Sequence, residues 1–113
     1  MNAHGTGTAA NDVTETKAIR QVFGLHAEKL AISSTKSMVG HALGASGALE
    51  FIAALMSVRE GIVPPTMGYL GPDPACDLDY VPNEARKLPV NAVLSNSFAF
   101  GGLNAVLAVK RYA

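Results

Sequence analysis

Tryptophan is absent from this sequence of 113 residues, and aromatic residues of any kind make up only 6% of it. A packed core must therefore be built mainly from Ala, Val, Leu and Ile, which the 49% hydrophobic content allows. The length is sufficient for one modest domain and not for two.

Cysteine is nearly absent as well, since Cys76 is the only one. A single cysteine cannot form an internal disulfide, which predicts a reducing, cytoplasmic location. Cys76 lies in a proline-rich segment and is followed by two acidic residues, so we expect a structural residue and not a nucleophile. Metal binding by Cys76 with the three histidines is disfavoured, because no two of these residues have the close spacing of zinc ligands.

Net charge is also lacking, because nine basic residues balance nine acidic ones and no basic run occurs. The sequence therefore disfavours a surface for nucleic acid or for an anionic membrane. The N-terminal residues do not have the basic and apolar segments of a signal peptide. The one long apolar stretch, residues 42–58, is short for a bilayer and contains Glu50, which favours a buried helix of a soluble protein over a membrane span.

Two helices are predicted from the spacing of apolar residues. Asp12, with Glu15 three positions later, resembles a capping box at the start of a helix, and Gly24 is interpreted as its C-terminal stop. The apolar spacing between them predicts an amphipathic helix over residues 12–23. A second helix is predicted over residues 40–59. Apolar residues surround much of its circumference, which is typical of a helix packed on more than one side.

The remaining segments predict strands and one long connection. Residues 30–34, 92–95 and 105–109 have the β-branched, apolar character of strands. Five prolines within residues 62–88, with Pro89 directly after them, predict an irregular connection with a short edge strand at 77–81. The order α, β, α, long loop, β, β is typical of a mixed α/β layer protein. Because no strand precedes the first loop, we expect the end of a larger domain.

Polar residues that could carry chemistry lie at the ends of these elements. His4 lies in the glycine-bearing loop NAHGTGT, and His41 lies at the predicted start of the second helix, where the helix dipole favours a neutral imidazole. Lys36 precedes an apolar segment and needs an acidic or hydroxyl partner, for which Glu50 is the natural candidate. The alternative interpretation is structural: a histidine that satisfies turn carbonyls, a surface lysine and a capping histidine.

The stretch NSFAFGG combines two aromatic residues with two glycines. Phe98 and Phe100 alternate ahead of Gly101 and Gly102, so a rigid ring beside a flexible pair could move as a gate. The alternative is a hairpin with core aromatic residues.

Four motifs occur in this order along the chain: NAHGTGT, KSMVGHALGASG, CDLDYVPNEAR and NSFAFGGLNAVL. Together they closely resemble the C-terminal part of β-ketoacyl-acyl carrier protein synthases, above all the elongating, type II enzymes of bacterial fatty acid synthesis. The resemblance covers essentially the whole chain. It implies that residues 1–113 are a C-terminal ketoacyl-synthase domain, truncated at its N-terminal side. The implied fold is part of a thiolase-like α/β fold, a mixed β-sheet packed with helices.

The resemblance also implies a reaction and partners. The family carries out a decarboxylating Claisen condensation, in which malonyl on acyl carrier protein loses CO2 and the carbanion attacks an acyl group held on a cysteine. The implied partners are acyl carrier protein that carries malonyl or acyl groups and further copies of the chain in a homo-oligomer, with no nucleic acid and no membrane.

Individual roles follow from the motifs. His4 and His41 resemble the family's two active-site histidines, which stabilise the oxyanion that decarboxylation creates. Lys36 resembles the lysine that organises the site, and Glu50 resembles the acid that pairs with it.

The hairpin motif adds residues at the acyl pocket. Phe100 resembles the family's gating phenylalanine, and Phe98 is its neighbour over the pocket. Gly101 and Gly102 complete the motif.

The family implies no organic cofactor. Some members hold a monovalent cation, Na⁺ or K⁺, near the site through main-chain and side-chain oxygens. The matching positions in this sequence are Asn2, Ala3, Glu50, Ser95 and Asn96.

One part of the family pattern is missing. The nucleophilic cysteine lies in a small-residue motif of the N-terminal half, which Cys76 does not match, so we expect this chain alone not to condense acyl groups. Three alternatives stay open: a non-catalytic, self-associating interaction module, a ketosynthase fragment of a polyketide synthase, and a degradative thiolase fragment. The last is disfavoured because thiolases use a second cysteine where this chain has FAFGGLN.

Overall fold

The computed structural model describes residues 1–112. The helices are α1 (Ala9–Phe23), α2 (Lys36–Val39) and α3 (Ser46–Glu60), and the 3₁₀ turns are Gly24–Lys29, Leu43–Ala45 and Phe100–Gly102. The strands are β1 (Ile62–Val63), β2 (Arg86–Lys87), β3 (Ala92–Phe98) and β4 (Asn104–Lys110).

The main sheet is mixed. Strands β3 and β4 pair antiparallel along their whole length, with Ser95 opposite Leu107. Asn2 adds one parallel bridge to Ser95 and another to Ser33. The first residues therefore lie as an extended segment between β3 and the Ser33 segment. The prediction that a loop opens the chain was wrong on this point, and the predicted mixed sheet is confirmed.

Two apolar clusters hold the chain together. The first lies between α3 and the sheet and consists of Ala54, Val58, Val63, Val81, Val90, Val93 and Val109. The second lies between α1 and the Ile32 segment and consists of Ala3, Ile19, Ala27 and Ile32. Small and β-branched residues fill both clusters, as expected for a sequence with few aromatic residues.

Helix α1 begins earlier than predicted. Thr8, not Asp12, is the N-cap, because its side-chain oxygen accepts a hydrogen bond from the Asn11 N–H at 3.2 Å. The carboxylate of Asp12 instead accepts from the N–H of Gly7 at 3.2 Å. The predicted end is confirmed, since Gly24 is the C-cap with φ of 54°.

The predicted helix over residues 40–59 is interrupted. Its regular part, α3, starts only at Ser46, because Gly40 and Leu43 have positive φ values of 79° and 49°, which no α-helix permits. Lys36 lies in the separate short helix α2. His41 thus precedes α3 instead of standing in its first turn, and the helix-dipole argument for His41 was wrong.

The predicted strands at 30–34 and 77–81 do not form. The first segment contributes only the bridge at Ser33, and the N–H of Ile32 donates to the carbonyl of Asp79 at 2.9 Å. Conversely, β1 and β2 pair within the segment that was predicted to be wholly irregular. Prolines follow both strands closely, which limits each of them to two residues.

The CDLDYVPNEAR motif fastens the long connection to α1. The Thr16 hydroxyl donates to the Asp12 carbonyl at 2.8 Å, so the Tyr80 hydroxyl, 2.7 Å from Thr16, is the donor in that pair. Arg20 also forms a salt bridge with Asp77 at 2.8 Å. The position of the connection is therefore coupled to α1, which carries the His4 loop.

Helix α3 is buried on one side only. Its inner side packs on β3 and β4, and its other side exposes Leu49, Ile52, Leu55 and Met56. The prediction of a helix buried on more than one side was therefore wrong within residues 1–112. No helix in this described part is both long and apolar enough to cross a membrane.

Candidate active site

The His4 loop is held by one buried carboxylate. Glu15 of α1 accepts from the main-chain N–H of His4 at 2.9 Å and of Gly5 at 3.0 Å. The side-chain amides of Asn11 and Asn96 donate to the same carboxylate, at 3.2 and 3.0 Å. Four donors therefore compensate for the burial of the Glu15 charge, and the backbone on both sides of the His4–Gly5 peptide is fixed.

Gly5 is required by the geometry of this loop. Its φ is 44°, and a Cβ atom there would lie 2.5 Å from the Cβ of Ser34. The Ser34 hydroxyl also donates to the Gly5 carbonyl at 2.6 Å. The loop thus lies directly on the segment that leads into Lys36, which brings two of the sequence motifs together.

His4 and His41 form a pair. Their ring centroids are 5.5 Å apart and the rings meet edge to face at 87°. His4 is buried, with 8% of its surface exposed, whereas His41 is exposed. Phe98 lies on the other side of His4, with its ring centroid 5.6 Å away. Two histidines that are 37 positions apart in sequence therefore meet beside the end of β3.

The His41 ring is oriented by local hydrogen bonds. Its Nδ1 lies 3.1 Å from the main-chain N of Leu43 and 2.9 Å from the Ser46 hydroxyl. Both partners lie within five residues of His41. The ring is therefore positioned by the start of α3 even though it is exposed to solvent.

Lys36 and Glu50 form a buried ion pair. The ammonium group donates to Oε1 of Glu50, and the two side chains are 4% and 2% exposed. Oε2 of Glu50 is buried without a hydrogen-bond partner among the described residues. The pairing of Lys36 with Glu50 that the sequence predicted is confirmed.

The environment of His4 favours its neutral form. Burial lowers the pKa of His4 below its ordinary value of 6.5, and the positive charge of Lys36 lowers it further, against an opposing effect of Glu15. Nδ1 of His4 is buried, and no hydrogen-bond partner for it lies within residues 1–112. A neutral imidazole has one donor and one acceptor nitrogen, so this ring can donate a single hydrogen bond at neutral pH.

This environment predicts a pH-dependent contribution to stability. The pKa of His4 is lower in the folded chain than in the unfolded chain, so the unfolded chain binds more protons as the pH falls through about 6.5. The free energy of unfolding, measured by urea titration, should therefore fall between about pH 7.5 and about pH 5.5, and His4→Asn should make this fall smaller. His26→Asn, at an exposed histidine, is the control. An equal fall in wild type and His4→Asn would contradict the account.

An open cleft runs beside these residues. Its volume is about 960 Å³, and Ala3, Gly5, Lys36 and His41 contribute to its wall. Residues 66–71 of the long connection and part of α1 also line it. His41 therefore borders a space that a molecule of some length can enter, and the two neighbours of His4, Ala3 and Gly5, contribute to the same wall.

The other residues singled out in the sequence are more scattered. Phe100 is fully exposed at the hairpin tip, where Gly101 and Gly102 have φ of 77° and 79° and form the predicted tight turn. Cys76 is partly buried in a turn closed by its N–H to the Asp73 carbonyl at 2.9 Å, and it contributes to the wall of the cleft. The structure therefore places Phe98 against His4, whereas Phe100 is exposed to solvent.

Asn2, Ser95 and Asn96 are adjacent in the sheet, as the cation assignment requires. The Asn2 side chain lies 3.4 Å from the Ser95 hydroxyl, and the N–H of Asn96 donates to the Asn2 carbonyl at 3.0 Å. Oε2 of Glu50, for which the described part of the chain provides no hydrogen-bond partner, is an oxygen that a cation would satisfy. Within residues 1–112, no group of three or more His, Cys, Asp or Glu side chains is arranged to hold a metal ion.

Two contributors were missed in the sequence. Glu15 was interpreted only as a capping residue, although it stands four positions before Ile19 on the buried face of α1, where an unpaired charge would be costly. That spacing was a usable signal. Ser46 had no such signal, because its role depends on the turn that positions His41.

Replacing Glu15 by glutamine should destabilise the loop. The amide NH2 of glutamine would replace one of the two carboxylate oxygens, and it would then face two donors instead of accepting from them. In one orientation the donors are the His4 N–H and the Asn96 amide, and in the other they are the Gly5 N–H and the Asn11 amide. We expect a loss of about 2–3 kcal/mol in the free energy of unfolding, measured with urea. Glu84→Gln, at an exposed position, is the matched control and should change it by less than about 0.5 kcal/mol. Equal effects of the two variants would show that the Glu15 bonds do not hold the loop.

Comparison with known proteins shows the family of the chain. Residues 1–70 match the family described as "Beta-ketoacyl synthase, C-terminal domain". The chain is 59% identical over 112 residues to 3-oxoacyl-[acyl-carrier-protein] synthase 2 of Synechocystis sp.. That alignment covers 99% of this chain and 27% of the relative. It is 60% identical over 111 residues to Nodulation protein E of Rhizobium sp. strain N33, covering 98% of this chain and 28% of the relative.

A solved structure has the same fold over nearly the whole chain. It is described as a type II PKS acyl-carrier protein in complex with its ketosynthase bound to the hexaketide. The superposition has a TM-score of 0.96 at 41% sequence identity, and it covers 99% of this chain and 28% of the matched chain. The chain spans about a quarter of the length of the curated relatives.

The chain therefore belongs to the β-ketoacyl synthase family, and its residues 1–70 match the C-terminal domain of that family. The predicted family and the predicted thiolase-like α/β fold are confirmed.

Proposed function

We propose that this chain supplies the decarboxylation site of a 3-oxoacyl-acyl carrier protein synthase. The observation that carries the proposal is the meeting of His4 and His41, with ring centroids 5.5 Å apart, beside the buried Lys36–Glu50 pair. The family of the chain supports the same function. The malonyl group would be presented by acyl carrier protein, and the complex of the related ketosynthase with its carrier protein supports that partner.

The proposed chemistry starts with loss of CO2. The bond between the malonyl carboxylate and the methylene carbon breaks, and its electron pair moves into the thioester, which places negative charge on the thioester oxygen. Two imidazole N–H groups aimed at one oxygen stabilise that charge without having to reorganise. The separation of the rings is short enough for a single oxygen atom to accept from both of them.

Lys36 has a supporting role in this proposal. Its charge adds to the effect of burial, which is the main cause of the lowered pKa of His4, so the ring enters the reaction as a neutral donor. The carboxylate of Glu50 fixes the ammonium group, which prevents the lysine from reaching into the cleft. The enolate carbon would then attack an acyl thioester on a cysteine that lies outside this sequence. The thiolate of that cysteine would leave as the new C–C bond forms.

We include three further assignments in the same proposal. Phe100, at the glycine-containing hairpin tip, gates access for the acyl chain. A monovalent cation would be held by Glu50 with oxygens of Asn2, Ala3, Ser95 and Asn96, and it would supply positive charge beside the buried carboxylate. The reaction would take place in the cytoplasm, in a homo-oligomer.

The product pattern tests this function. The purified chain is incubated with malonyl-acyl carrier protein and an acyl-carrier protein, and CO2, acetyl-carrier protein and 3-oxoacyl product are measured. We expect CO2 and acetyl-carrier protein, formed when the enolate takes a proton from water, and no 3-oxoacyl product. Formation of 3-oxoacyl product by the chain alone would show that its single cysteine, or another group in it, performs the covalent step.

A second function is favoured by the exposed apolar surface. Five large apolar side chains of α3 and β4 are exposed, and they would favour self-association without catalysis. They are Leu49, Ile52 and Met56 of α3 and Val106 and Leu107 of β4. Sedimentation velocity at several concentrations tests this alternative. A monomer at every concentration would exclude it.

A further inference from the structure

We propose that Ser46 is a positioning residue for His41, which keeps the proton of the neutral ring on Nε2. The inference rests on the proposed function, in which His41 must donate a hydrogen bond to a thioester oxygen. It goes further by assigning the donor nitrogen and the side chain that selects it.

The hydrogen bonds around Nδ1 determine the tautomer. The main-chain N–H of Leu43 points at Nδ1 over 3.1 Å, and an amide N–H can only donate. Nδ1 must therefore present its lone pair, and the Ser46 hydroxyl at 2.9 Å must donate to it as well. With two donors on Nδ1, the proton of a neutral ring lies on Nε2.

The backbone at Leu43 is strained in a way that serves this arrangement. Its φ of 49° is in the left-handed region, which is unfavourable for any residue with a Cβ atom. The side chain gains no burial in return, since it is 77% exposed. This backbone conformation places the Leu43 N–H within hydrogen-bond distance of Nδ1 of His41.

Ser46 provides a more rigid donor than the turn does. It is buried, with 6% of its surface exposed, and it is the first residue of the 15-residue helix α3. His41 itself is exposed, so packing alone does not set its ring orientation. A hydroxyl fixed at the base of a long helix therefore determines where Nε2 points.

The experiment measures the imidazole nitrogens directly. The chain is prepared with isotopically labelled histidine, and NMR signals of both ring nitrogens are recorded above neutral pH for wild type and Ser46→Ala. His4→Gln and His26→Gln assign the signals. In wild type, we expect Nδ1 of His41 at the position of an unprotonated nitrogen and Nε2 at that of a protonated one.

Ser46→Ala should shift this pattern. The ratio of the Nε2–H to the Nδ1–H tautomer should fall roughly threefold to tenfold, because Nδ1 loses a donor. The averaged His41 Nδ1 signal should therefore move towards the position of a protonated nitrogen, and the Nε2 signal should move away from it. Ser46→Thr, which keeps the hydroxyl, should restore the wild-type signals. The matched control is Ser57→Ala, which removes another buried hydroxyl of α3, bonded to the Ala53 carbonyl at 2.9 Å, and should leave His41 unchanged.

Two results would overturn the proposal: a protonated Nδ1 in wild-type His41, or identical His41 signals in Ser46→Ala and Ser57→Ala. A kinetic measurement separates this inference from the proposed function. If the chain releases CO2 from malonyl-acyl carrier protein, Ser46→Ala should lower kcat with little change in KM. If the chain releases none, the proposed function fails, and the nitrogen signals still decide the role of Ser46.

Discussion

Replacing Lys36 by methionine is expected to lower the free energy of unfolding by about 3–5 kcal/mol, because the variant leaves the buried carboxylate of Glu50 without a counter-charge. The side chains of the pair are 4% and 2% exposed, so water cannot take over the role of the ammonium group. Oε2 of Glu50 already has no partner among the described residues, which makes the carboxylate depend further on Lys36. Urea unfolding at neutral pH measures the change.

Two further variants separate the charge from the packing at this position. The double variant Lys36→Met/Glu50→Leu removes both charges and should recover most of the lost stability, since an apolar pair often replaces a buried ion pair at little cost. Lys17→Met, on the exposed face of α1, should change the free energy of unfolding by less than about 0.5 kcal/mol. If Lys36→Met were no more destabilising than Lys17→Met, the pair would not be an essential part of the fold.

Replacing either His4 or His41 by alanine is expected to lower the rate of malonyl decarboxylation about 10²- to 10³-fold, the usual effect of removing one preorganised donor from an oxyanion site. The effect should appear in kcat, because both hydrogen bonds strengthen as charge develops on the oxygen. CO2 release from malonyl-acyl carrier protein measures it.

The third histidine provides the matched control. His26 lies in an exposed 3₁₀ turn after α1, so His26→Ala removes an imidazole without touching the pair. We expect its rate to equal that of wild type. A His4→Ala rate close to that of His26→Ala would mean that the His4 ring is not a donor in the reaction.

The family, the fold class and the main pairings could be predicted from the sequence, because they depend on short motifs and on simple charge arguments. Lys36 enters an apolar segment and needs an acid, and Glu50 is the one acid between Lys36 and Glu60. Gly24 ends α1 as predicted, since a glycine after an apolar helical pattern is a strong local signal.

Other features depend on contacts that a local pattern does not contain. The apolar run after Gly40 has the composition of a continuous helix, yet positive φ values at Gly40 and Leu43 delay the helix until Ser46. Thr8 competes successfully with Asp12 as the N-cap, because the Asp12 carboxylate is used by the loop before it. The role of Glu15 depends on Asn96, 81 positions away, which spacing along α1 could not show.

The most direct test of the central claim, that His4 and His41 form one oxyanion site, compares CO2 release from malonyl-acyl carrier protein by the wild-type chain and by the double variant His4→Ala/His41→Ala. The two donors act on one oxygen, so we expect the double variant to be about as slow as each single variant and all three to lie far below wild type. A wild-type rate equal to that of the double variant would contradict the account, since the two histidines would then be close together without forming a working site in this chain.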